Sequence, residues 1–508
     1  MNQVTLFKRS IIAAAVAAFS VSTSVAHADP EDFGVRVEQQ LKVKSEKLFG
    51  VEQPLDASAP ATTGAYRSAT QTAAEQVLLA KGLKAEYVTR TSAQNGDMML
   101  LWPNGQNPTH IITAVEEFSP HVIGKLASGS DKLSPSVQRI ELATSKSEIM
   151  LRGMAGADGI RMTAWGTILV PEENSSGNAY EIIDPLHVTN HTVTNRALGT
   201  IVDADGKPSN NVVKRSALPT MAWEGMGVLA SGVVIAGDEL RPGSPANADG
   251  GAIFKFVPSV VYNPANGPIT DLAQSPLVAG NVYALQSSCV NNTQQFGQGC
   301  EIGMGAWIAV NATTARAEAN SKGATGFYRP EDLEIDPLYS DAANPQAVRF
   351  CWTNTGNEDA NNYGEVVCGV DSEPLVTTYT DSSGAIKPKR TTAINRFVEG
   401  DADFNQPDNF AFQPVTGNHY VVEDHPNGDI WACLPDGADR DNKTDGCVKI
   451  LSVKDSSAEP TGFFFAPDGK TAYVNIQHSD DTNMPLADDY GTDDLIKITG
   501  FKVNKERD

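Results

Sequence analysis

A short motif occurs three times in the second half of the chain and constrains its fold more than any other feature. It reads RPEDLEIDP at 329–337, QPDNFAFQP at 406–414 and EPTGFFFAP at 459–467. Each copy keeps a leading proline, alternating apolar positions and a closing proline, while the polar residues before the apolar positions change. Alternating apolar residues between turn-forming prolines predict a short β-strand. The repeat therefore predicts one strand unit used several times around a shared site.

Short runs rich in β-branched and aromatic residues recur through the rest of the chain, such as GTILV at 166–170 and AWIAV at 306–310. We predict an all-β fold, a six-bladed β-propeller with insertions, as a single domain over residues 69–508. Residues 29–68 would form an N-terminal arm. Helical periodicity is confined to about Ala69 to Lys84, which predicts a short N-terminal helical or strap segment. An array of β-sandwiches is the alternative fold.

The first 28 residues have the pattern of a cleaved signal peptide. Lys8 and Arg9 precede an apolar run, and Ala26-His27-Ala28 forms a small-x-small cleavage site. An uncleaved N-terminal anchor is the alternative. No later segment is long and apolar enough to predict a membrane span. We therefore expect a periplasmic or secreted protein, exported by the general secretion route.

The six cysteines fall into near neighbours in the second half of the chain. An even number of cysteines in an exported chain favours disulfides, and short loops close most easily. We predict three local disulfides, listed here in chain order: Cys289–Cys300, Cys351–Cys368 and Cys433–Cys447.

The formal net charge is −23, which argues against a nucleic-acid partner and is compatible with cation binding. Equivalent ends of equivalent propeller strands face the same mouth, so the polar leaders of the three motifs are expected to converge there. Crowded carboxylates repel one another, and Ca²⁺ relieves this because it takes several oxygen ligands. A lone arginine among them suits bidentate capture of an anion. The candidate residues are Arg329, Glu331, Asp408, Asn409 and Glu459, with further strand-end acids Glu172, Glu173, Glu224, Asp238, Glu239, Glu423 and Asp424.

These residues also have simpler interpretations. Asp and Asn after proline often serve only as turn formers. Glu172 and Glu173 could belong to a solvated loop, and Asp424 could cap a hairpin. His478, at the end of a strand, is a candidate ligand or base, or simply an exposed histidine.

Several motifs follow one another between about Asp97 and His478: TAWGT at 163–167, EEN at 172–174, GDE at 237–239, RPE at 329–331, PDN at 407–409, and Glu459 followed by PDGKTAYVNIQH. Together, in this order, they resemble the PhoX family of secreted alkaline phosphatases. The resemblance implies a six-bladed propeller whose mouth holds Ca²⁺ and a pair of bridged iron(III) ions. It also implies hydrolysis of phosphate monoesters, and of some phosphodiesters, in the periplasm.

The resemblance assigns roles residue by residue. Arg329 matches the phosphate-contacting arginine, Glu331 the metal-binding glutamate that follows it, and Glu172 and Glu173 the paired glutamates. The other acidic motif positions imply metal ligation by the corresponding residues here, which are Glu224, Asp238, Asp408 and Glu459.

Two positions depart from the family pattern. The iron-ligating cysteine of the family is Pro171 here, and the family's His-Glu pair reads Trp223-Glu224. A thiolate favours transition metals, so its loss leaves an oxygen-rich site. We therefore predict Ca²⁺ as the cofactor, with iron or another transition metal as the alternative.

The prediction is a metal-dependent phosphoric monoester hydrolase, in which a metal-activated water or bridging oxygen is the nucleophile and Arg329 clamps the phosphate. No serine-hydrolase or nucleotide-binding motif is present. The alternatives are a non-catalytic, metal-stabilised propeller that binds an anionic ligand and a calcium-dependent lactonase-like hydrolase. We expect a monomer that acts on a small-molecule phosphate ester.

Overall fold

The computed structural model describes residues 33–243, 249–287, 302–435 and 446–503. The predicted signal peptide and the predicted Cys289–Cys300 disulfide lie outside these residues. The α-helices are α1 (Phe33–Val43), α2 (Ser45–Leu48), α3 (Ala73–Gln76) and α4 (Ala315–Ser321). Short 3-10 helices span Pro185–His187, Pro264–Asn266, Leu272–Gln274, Pro276–Val278, Ala312–Thr314 and Glu358–Ala360.

Strands account for most of the regular structure, as the Val, Ile and aromatic runs predict. Those of the first half are β1 (Val77–Leu79), β2 (Lys84–Ala93), β3 (Gly96–Trp102), β4 (His110–Val115), β5 (Val122–Lys125), β6 (Asp131–Leu133), β7 (Pro135–Glu141), β8 (Lys146–Arg152), β9 (Arg161–Met162), β10 (Ile168–Pro171), β11 (Glu173–Gly177), β12 (Ala179–Ile182), β13 (His191–Asn195), β14 (Thr200–Val202), β15 (Val212–Lys214), β16 (Met221–Val228), β17 (Val234–Asp238) and β18 (Ile253–Pro258). Those of the second half are β19 (Gly280–Gln286), β20 (Gly303–Val310), β21 (Pro330–Ile335), β22 (Val348–Asn354), β23 (Glu365–Asp371), β24 (Thr378–Thr380), β25 (Ile386–Pro388), β26 (Arg390–Glu399), β27 (Pro407–Phe412), β28 (His419–Glu423), β29 (Asp429–Cys433), β30 (Cys447–Val453), β31 (Glu459–Phe465), β32 (Thr471–Gln477) and β33 (Thr492–Thr499).

The strands form largely antiparallel sheets arranged like the blades of a propeller. The sheet orders are β1-β30-β29-β28-β27, β2-β33-β32-β31, β14-β13-β8-β7-β4-β3 and β15-β12-β10-β9. A longer sheet runs β11-β16-β17-β18-β19-β20-β26-β23-β22-β21, and β5-β6 and β24-β25 are separate hairpins. One strand of each unit faces the middle, and β3, β9, β16, β21, β27 and β31 contact one another in a closed ring. The three sequence repeats are the ring strands β21, β27 and β31.

Five of the six ring strands carry a β-bulge near their first residues. The pairing register shifts between Gly96 and Met99 in β3 and between Trp223 and Met226 in β16. Equivalent shifts separate Pro330 from Leu333, Pro407 from Phe410, and Thr461 from Phe464 in the three repeats. At each bulge two residues of the ring strand face one residue of its neighbour. A bulge re-aims the side chains within it, and here every bulge lies at the same end of the ring.

The N-terminal segment completes two neighbouring sheets. Strand β1 pairs with β30 through Val77 and Val453, and β2 pairs with β33. The prediction of a helix from about Ala69 to Lys84 is therefore wrong, apart from the single turn of α3. The segment has helical periodicity, but Val77 and Ala80 become buried in the core formed with β29 and β30, so tertiary pairing overrides the local preference.

Both disulfides within the described residues are confirmed. Cys351–Cys368 joins β22 to β23, and Cys433–Cys447 joins β29 to β30. In each case the two cysteines are direct register partners, with Cα atoms 4.0 Å apart. They lie in one buried cluster between two blades. Among the described residues, no helix is long and apolar enough to cross a membrane.

Candidate functional site

A cavity of about 170 Å³ opens at the bulged end of the ring strands. Its charged and polar lining contains many more carboxylates than cations. The lining residues are Asp97, Glu116, Phe118, Glu173, Glu224, Arg329, Glu331, Asp408, Asp424, Glu459, Gln477 and His478. We call this cavity the acidic pocket.

The β-bulges explain why four of these carboxylates meet. Asp97, Glu224, Glu331 and Asp408 are each the first residue inside the bulge of their ring strand. The four strands surround the same axis, so equivalent bulges turn equivalent side chains toward one point. All four side chains are buried, with residue exposures of 9% or less.

The remaining acids come from residues that begin or follow other strands. Glu116 follows β4, Glu173 begins β11, Asp424 follows β28, and Glu459 begins β31. The backbone of the third repeat is offset, because its bulge begins after Thr461 rather than after the proline. Glu459 therefore reaches the pocket from the strand start instead of from within the bulge.

Of the arginines that the structure describes, only Arg329 lines the acidic pocket. Its Nε lies 2.5 Å from Glu239 and 2.7 Å from Glu331, and its Nη1 lies 2.6 Å from Asp424. Nη2 has no recorded partner among the described residues, and the side chain is 18% exposed. The backbone of Arg329 has φ of +62°, which is uncommon for a residue with a side chain and often marks a functional position. Three carboxylates thus hold the guanidinium and leave one edge toward the cavity.

Two groups of carboxylates are close enough to share a cation. Oxygen atoms of Asp158, Glu173 and Glu224 lie within 4.8 Å of one another, and so do those of Glu224, Glu331 and Asp408. Glu224 belongs to both groups. Among the described residues, both oxygens of Asp158 and Oε2 of Glu173 are buried without a hydrogen-bond partner. Buried oxygens without donors are unfavourable, and bound cations would satisfy them.

Burial raises the pKa of these carboxyl groups, and neighbouring carboxylates add to the effect. The pKa values of Glu224, Glu331 and Asp408 are all raised well above the ordinary range, with burial as the largest cause, and nearby acids raise them further, although Arg329 acts against the rise at Glu331 and Asp408. Burial also raises the pKa of Glu116 to about 7. The arrangement disfavours ionised carboxylates without a compensating positive charge.

His478 lies at the edge of the pocket. Its Nε2 is 3.1 Å from Glu459 Oε1, and its Nδ1 is 3.2 Å from Asn95 Oδ1. The hydrogen bond to Glu459 raises the pKa of His478 to about 9, against the effect of burial. The histidine is thus an ion-pair partner of a pocket acid.

Two of the acids that the sequence proposes as ligands lie outside the acidic pocket. Glu172 binds Arg196, with Nε 2.6 Å from Oε1, and accepts hydrogen bonds from backbone N–H groups. Asp238 binds Arg316 through both carboxylate oxygens. Both carboxylates are buried and already compensated.

Three acidic residues of the site are not predicted by the sequence motifs. Asp97 and Glu116 line the pocket, and Asp158 completes a carboxylate group. Asp97 had a detectable signal, because DMMLL at 97–101 places an acid two residues before alternating apolar positions, as EDLEI does at 331–335. Glu116 and Asp158 follow no repeated pattern.

A protein-family model matches residues 136–480, which is more than half of the chain. The model describes alkaline phosphatase PhoX. The chain therefore belongs to the alkaline phosphatase PhoX family. This confirms the resemblance read from the motifs and makes the protein a metal-dependent phosphatase. The family and the two disulfides together point to an exported protein.

One solved structure supports the fold. The chain superposes on Pseudomonas fluorescens PhoX in complex with vanadate, a transition state analogue, with a TM-score of 0.50 and 15% identity over 87% of this chain and 98% of that one. A gluconolactonase from Xanthomonas campestris matches with a TM-score of 0.38 and 10% identity, over 88% and 99% of the two chains. No curated protein sequence matches the chain.

Proposed function

We propose that this PhoX-family protein hydrolyses phosphate monoesters in the acidic pocket, with Ca²⁺ as its metal. The observation that carries the proposal is the arrangement of buried carboxylates around one arginine with an unpartnered Nη2. The carboxylates suit cations, and the arginine suits the phosphoryl group of a substrate. A site that contains both matches the chemistry of phosphate-ester hydrolysis.

Cations fit the two carboxylate groups of the pocket. Asp158, Glu173 and Glu224 would hold one ion, and Glu224, Glu331 and Asp408 another. Every donor in these groups is a carboxylate oxygen, which favours Ca²⁺ over iron or another transition metal. Pro171, at the family's cysteine position, adds no donor atom. When bound, such cations supply the Lewis acidity that polarises a phosphoryl oxygen and activates water.

Arg329 would bind the phosphoryl oxygens. Glu239, Glu331 and Asp424 fix the guanidinium plane through Nε and Nη1, so the group is oriented before the substrate arrives. Nη2 then donates to a phosphoryl oxygen while negative charge redistributes in the transition state. Preorganised donors of this kind require little rearrangement during the reaction. Asp424 and Glu459 form part of the pocket wall. Asp424 binds Arg329, and Glu459 accepts a hydrogen bond from His478.

We also infer the finer architecture from the contacts between strands. Six ring strands in a closed cycle support six blades, counted as β3, β9, β16, β21, β27 and β31 with their sheets. Residues 69–508 then form one propeller domain, to which residues 29–68 attach as an arm. We also propose that residues 1–28 are a cleaved signal peptide, which N-terminal sequencing of the exported protein would test. We propose that the protein is a monomer, which gel filtration would test.

Replacing the phosphate-binding arginine tests the proposal. Arg329→Ala should lower kcat/KM for p-nitrophenyl phosphate by about 10² to 10³, because it removes one preorganised donor to the transition state. Arg329→Lys should recover only part of the activity, because a lysine lacks the planar fork. Arg139→Ala is the matched control, since Arg139 is a buried, ion-paired arginine outside the pocket. Equal activity of Arg329→Ala and wild type would refute the assigned role.

Metal removal tests the cofactor. Chelator treatment should abolish hydrolysis, and Ca²⁺ should restore it. Metal analysis of the purified protein should find calcium. Two iron ions per chain, or recovery only with iron, would contradict the proposed oxygen-rich calcium site.

A further inference from the structure

A second cavity, of about 430 Å³, lies beside the acidic pocket and has a different lining. Its size falls within the range of small-molecule pockets. The end of β17 leads into a short segment, residues 238–240, that separates the two spaces. Glu239 binds Arg329 of the acidic pocket, whereas Asp238 and Leu240 line the second cavity. Alternate side chains of this extended segment thus face opposite sides, with Glu239 toward Arg329 and its two neighbours toward the second cavity.

The two spaces are also joined through the backbone. The N–H of Arg329 donates to the carbonyl oxygen of Leu240, with a distance of 3.2 Å. Glu173 lines the acidic pocket, and Ser175 of the same strand lines the second cavity. Leu240 and Ser175, on the lining of the second cavity, are thus bound to or close in sequence to residues of the acidic pocket.

The lining of the second cavity combines hydrogen-bonding groups with small side chains. Arg316 donates hydrogen bonds from Nε and Nη2 to Asp238, and among the described residues its Nη1 has no hydrogen-bond partner. Thr220 and Thr313, which each carry a hydroxyl group, also line the space. Gly250 and Ala317 leave room for a ligand because they add little side-chain volume. This lining offers hydrogen-bond donors and acceptors beside small apolar side chains, a combination that a hydroxyl-bearing molecule can use.

We propose that the second cavity binds the alcohol part of the substrate, so that the preferred substrates are phosphate esters of sugars or other polyols. The proposal rests on the proposed function, because the phosphoryl group must first bind at Arg329. Hydrolysis then forms a bond from a water oxygen to phosphorus and breaks the ester P–O bond. The polyol leaves with a proton from the water. Arg316 and the threonine hydroxyls bind the polyol and take no part in bond breaking.

Filling the second cavity tests the proposal. Ala317 lies on the exposed side of α4 and lines the cavity, so Ala317→Phe should fill space without disturbing the core. For glucose 6-phosphate, kcat/KM should fall by about tenfold, mainly through KM, which is the size of effect that pocket contacts produce. For methyl phosphate, which has no polyol to place, kcat/KM should change less than about twofold. Ala342→Phe, at an exposed turn away from both cavities, is the control.

A second variant guards against misfolding of the first. Thr313→Val removes a hydroxyl at an exposed position with little change of volume, and it should raise KM for glucose 6-phosphate only. If both esters respond equally to Ala317→Phe, or neither responds in either variant, the second cavity does not bind the polyol. If wild-type protein hydrolyses neither ester, the proposed function itself fails, and the polyol subsite fails with it.

Discussion

Glu172 and Glu173 are adjacent in the sequence and buried, yet they stand in opposite electrostatic situations. Glu172 is bound by Arg196 and by backbone N–H groups. Glu173 has an oxygen without a partner, and burial followed by Glu239 and Glu116 raises its pKa well above the ordinary range. The first carboxylate is compensated within the protein, whereas the second requires a proton or a cation. Glu172 therefore stabilises the fold as part of an ion pair, whereas Glu173 is a candidate cation ligand.

The same contrast separates two other buried acids, Asp238 and Asp494, from the acidic pocket. Asp238 is paired with Arg316, and Asp494 with Arg67. Glu224, in contrast, faces Asp158, Glu331 and Asp408. Removal of one partner from a buried ion pair leaves a charge uncompensated and destabilises the fold. Removal of one charge from a group of like charges relieves repulsion. The two sets of acids should therefore respond to neutralisation in opposite ways.

The largest expected effect comes from neutralising the shared pocket acid. Glu224→Gln should lower phosphatase activity by at least about a hundredfold, because it weakens both carboxylate groups and such losses in metal sites are of this order or larger. The metal-free variant should unfold at the same temperature as wild type or higher, since a buried acid among acids is removed. Activity with titrated Ca²⁺, and thermal unfolding in chelator, measure the two effects. If the metal-free variant is strongly destabilised, Glu224 is compensated within the protein, as Asp238 and Asp494 are.

The sequence predicted the strands and much of the pocket because the repeat carries both. Arg329, Glu331 and Asp408 occupy fixed places relative to an apolar pattern, and the fold keeps that pattern in register. The sequence does not show which of Glu172 and Glu173 is ion-paired, because the partner of Glu172, Arg196, lies in a separate loop after β13. Asp158 was missed for a similar reason: its place in the site depends on three-dimensional proximity to Glu173 and Glu224 and not on any local pattern.

A second expected effect concerns the compensated neighbour. Glu172→Gln should destabilise the protein by about 3 kcal/mol, because Arg196 and two backbone donors lose a buried anionic acceptor. The folded fraction should keep its Ca²⁺ binding and its activity. Urea unfolding together with kinetics at low temperature measures both. Glu86→Gln is the control, since this exposed glutamate pairs with Lys497 at the surface and its loss should not be measurable. Loss of metal binding without loss of stability would make Glu172 a ligand after all.

The smallest expected effect is a pH dependence of the metal-free protein. Burial raises the pKa of Glu116 to about 7 from 4.5. Between these values the folded state holds a proton that the unfolded state has released, so the free energy of unfolding should fall as pH rises from 4.5 to 7. One such group contributes at most about 1.4 kcal/mol per pH unit. Urea unfolding in chelator at several pH values, compared between wild type and Glu116→Gln, isolates this contribution.

Calcium should change that comparison in a defined direction. A bound cation favours the ionised carboxylate, so it should lower the effective pKa of the pocket acids and remove the decline of stability toward pH 7. Wild type in Ca²⁺ should then follow the pH dependence of the Glu116→Gln variant more closely than it does in chelator. If the difference between wild type and Glu116→Gln does not depend on pH in chelator, Glu116 is already compensated within the protein. It would then belong with Glu172 rather than with the acids that need a cation.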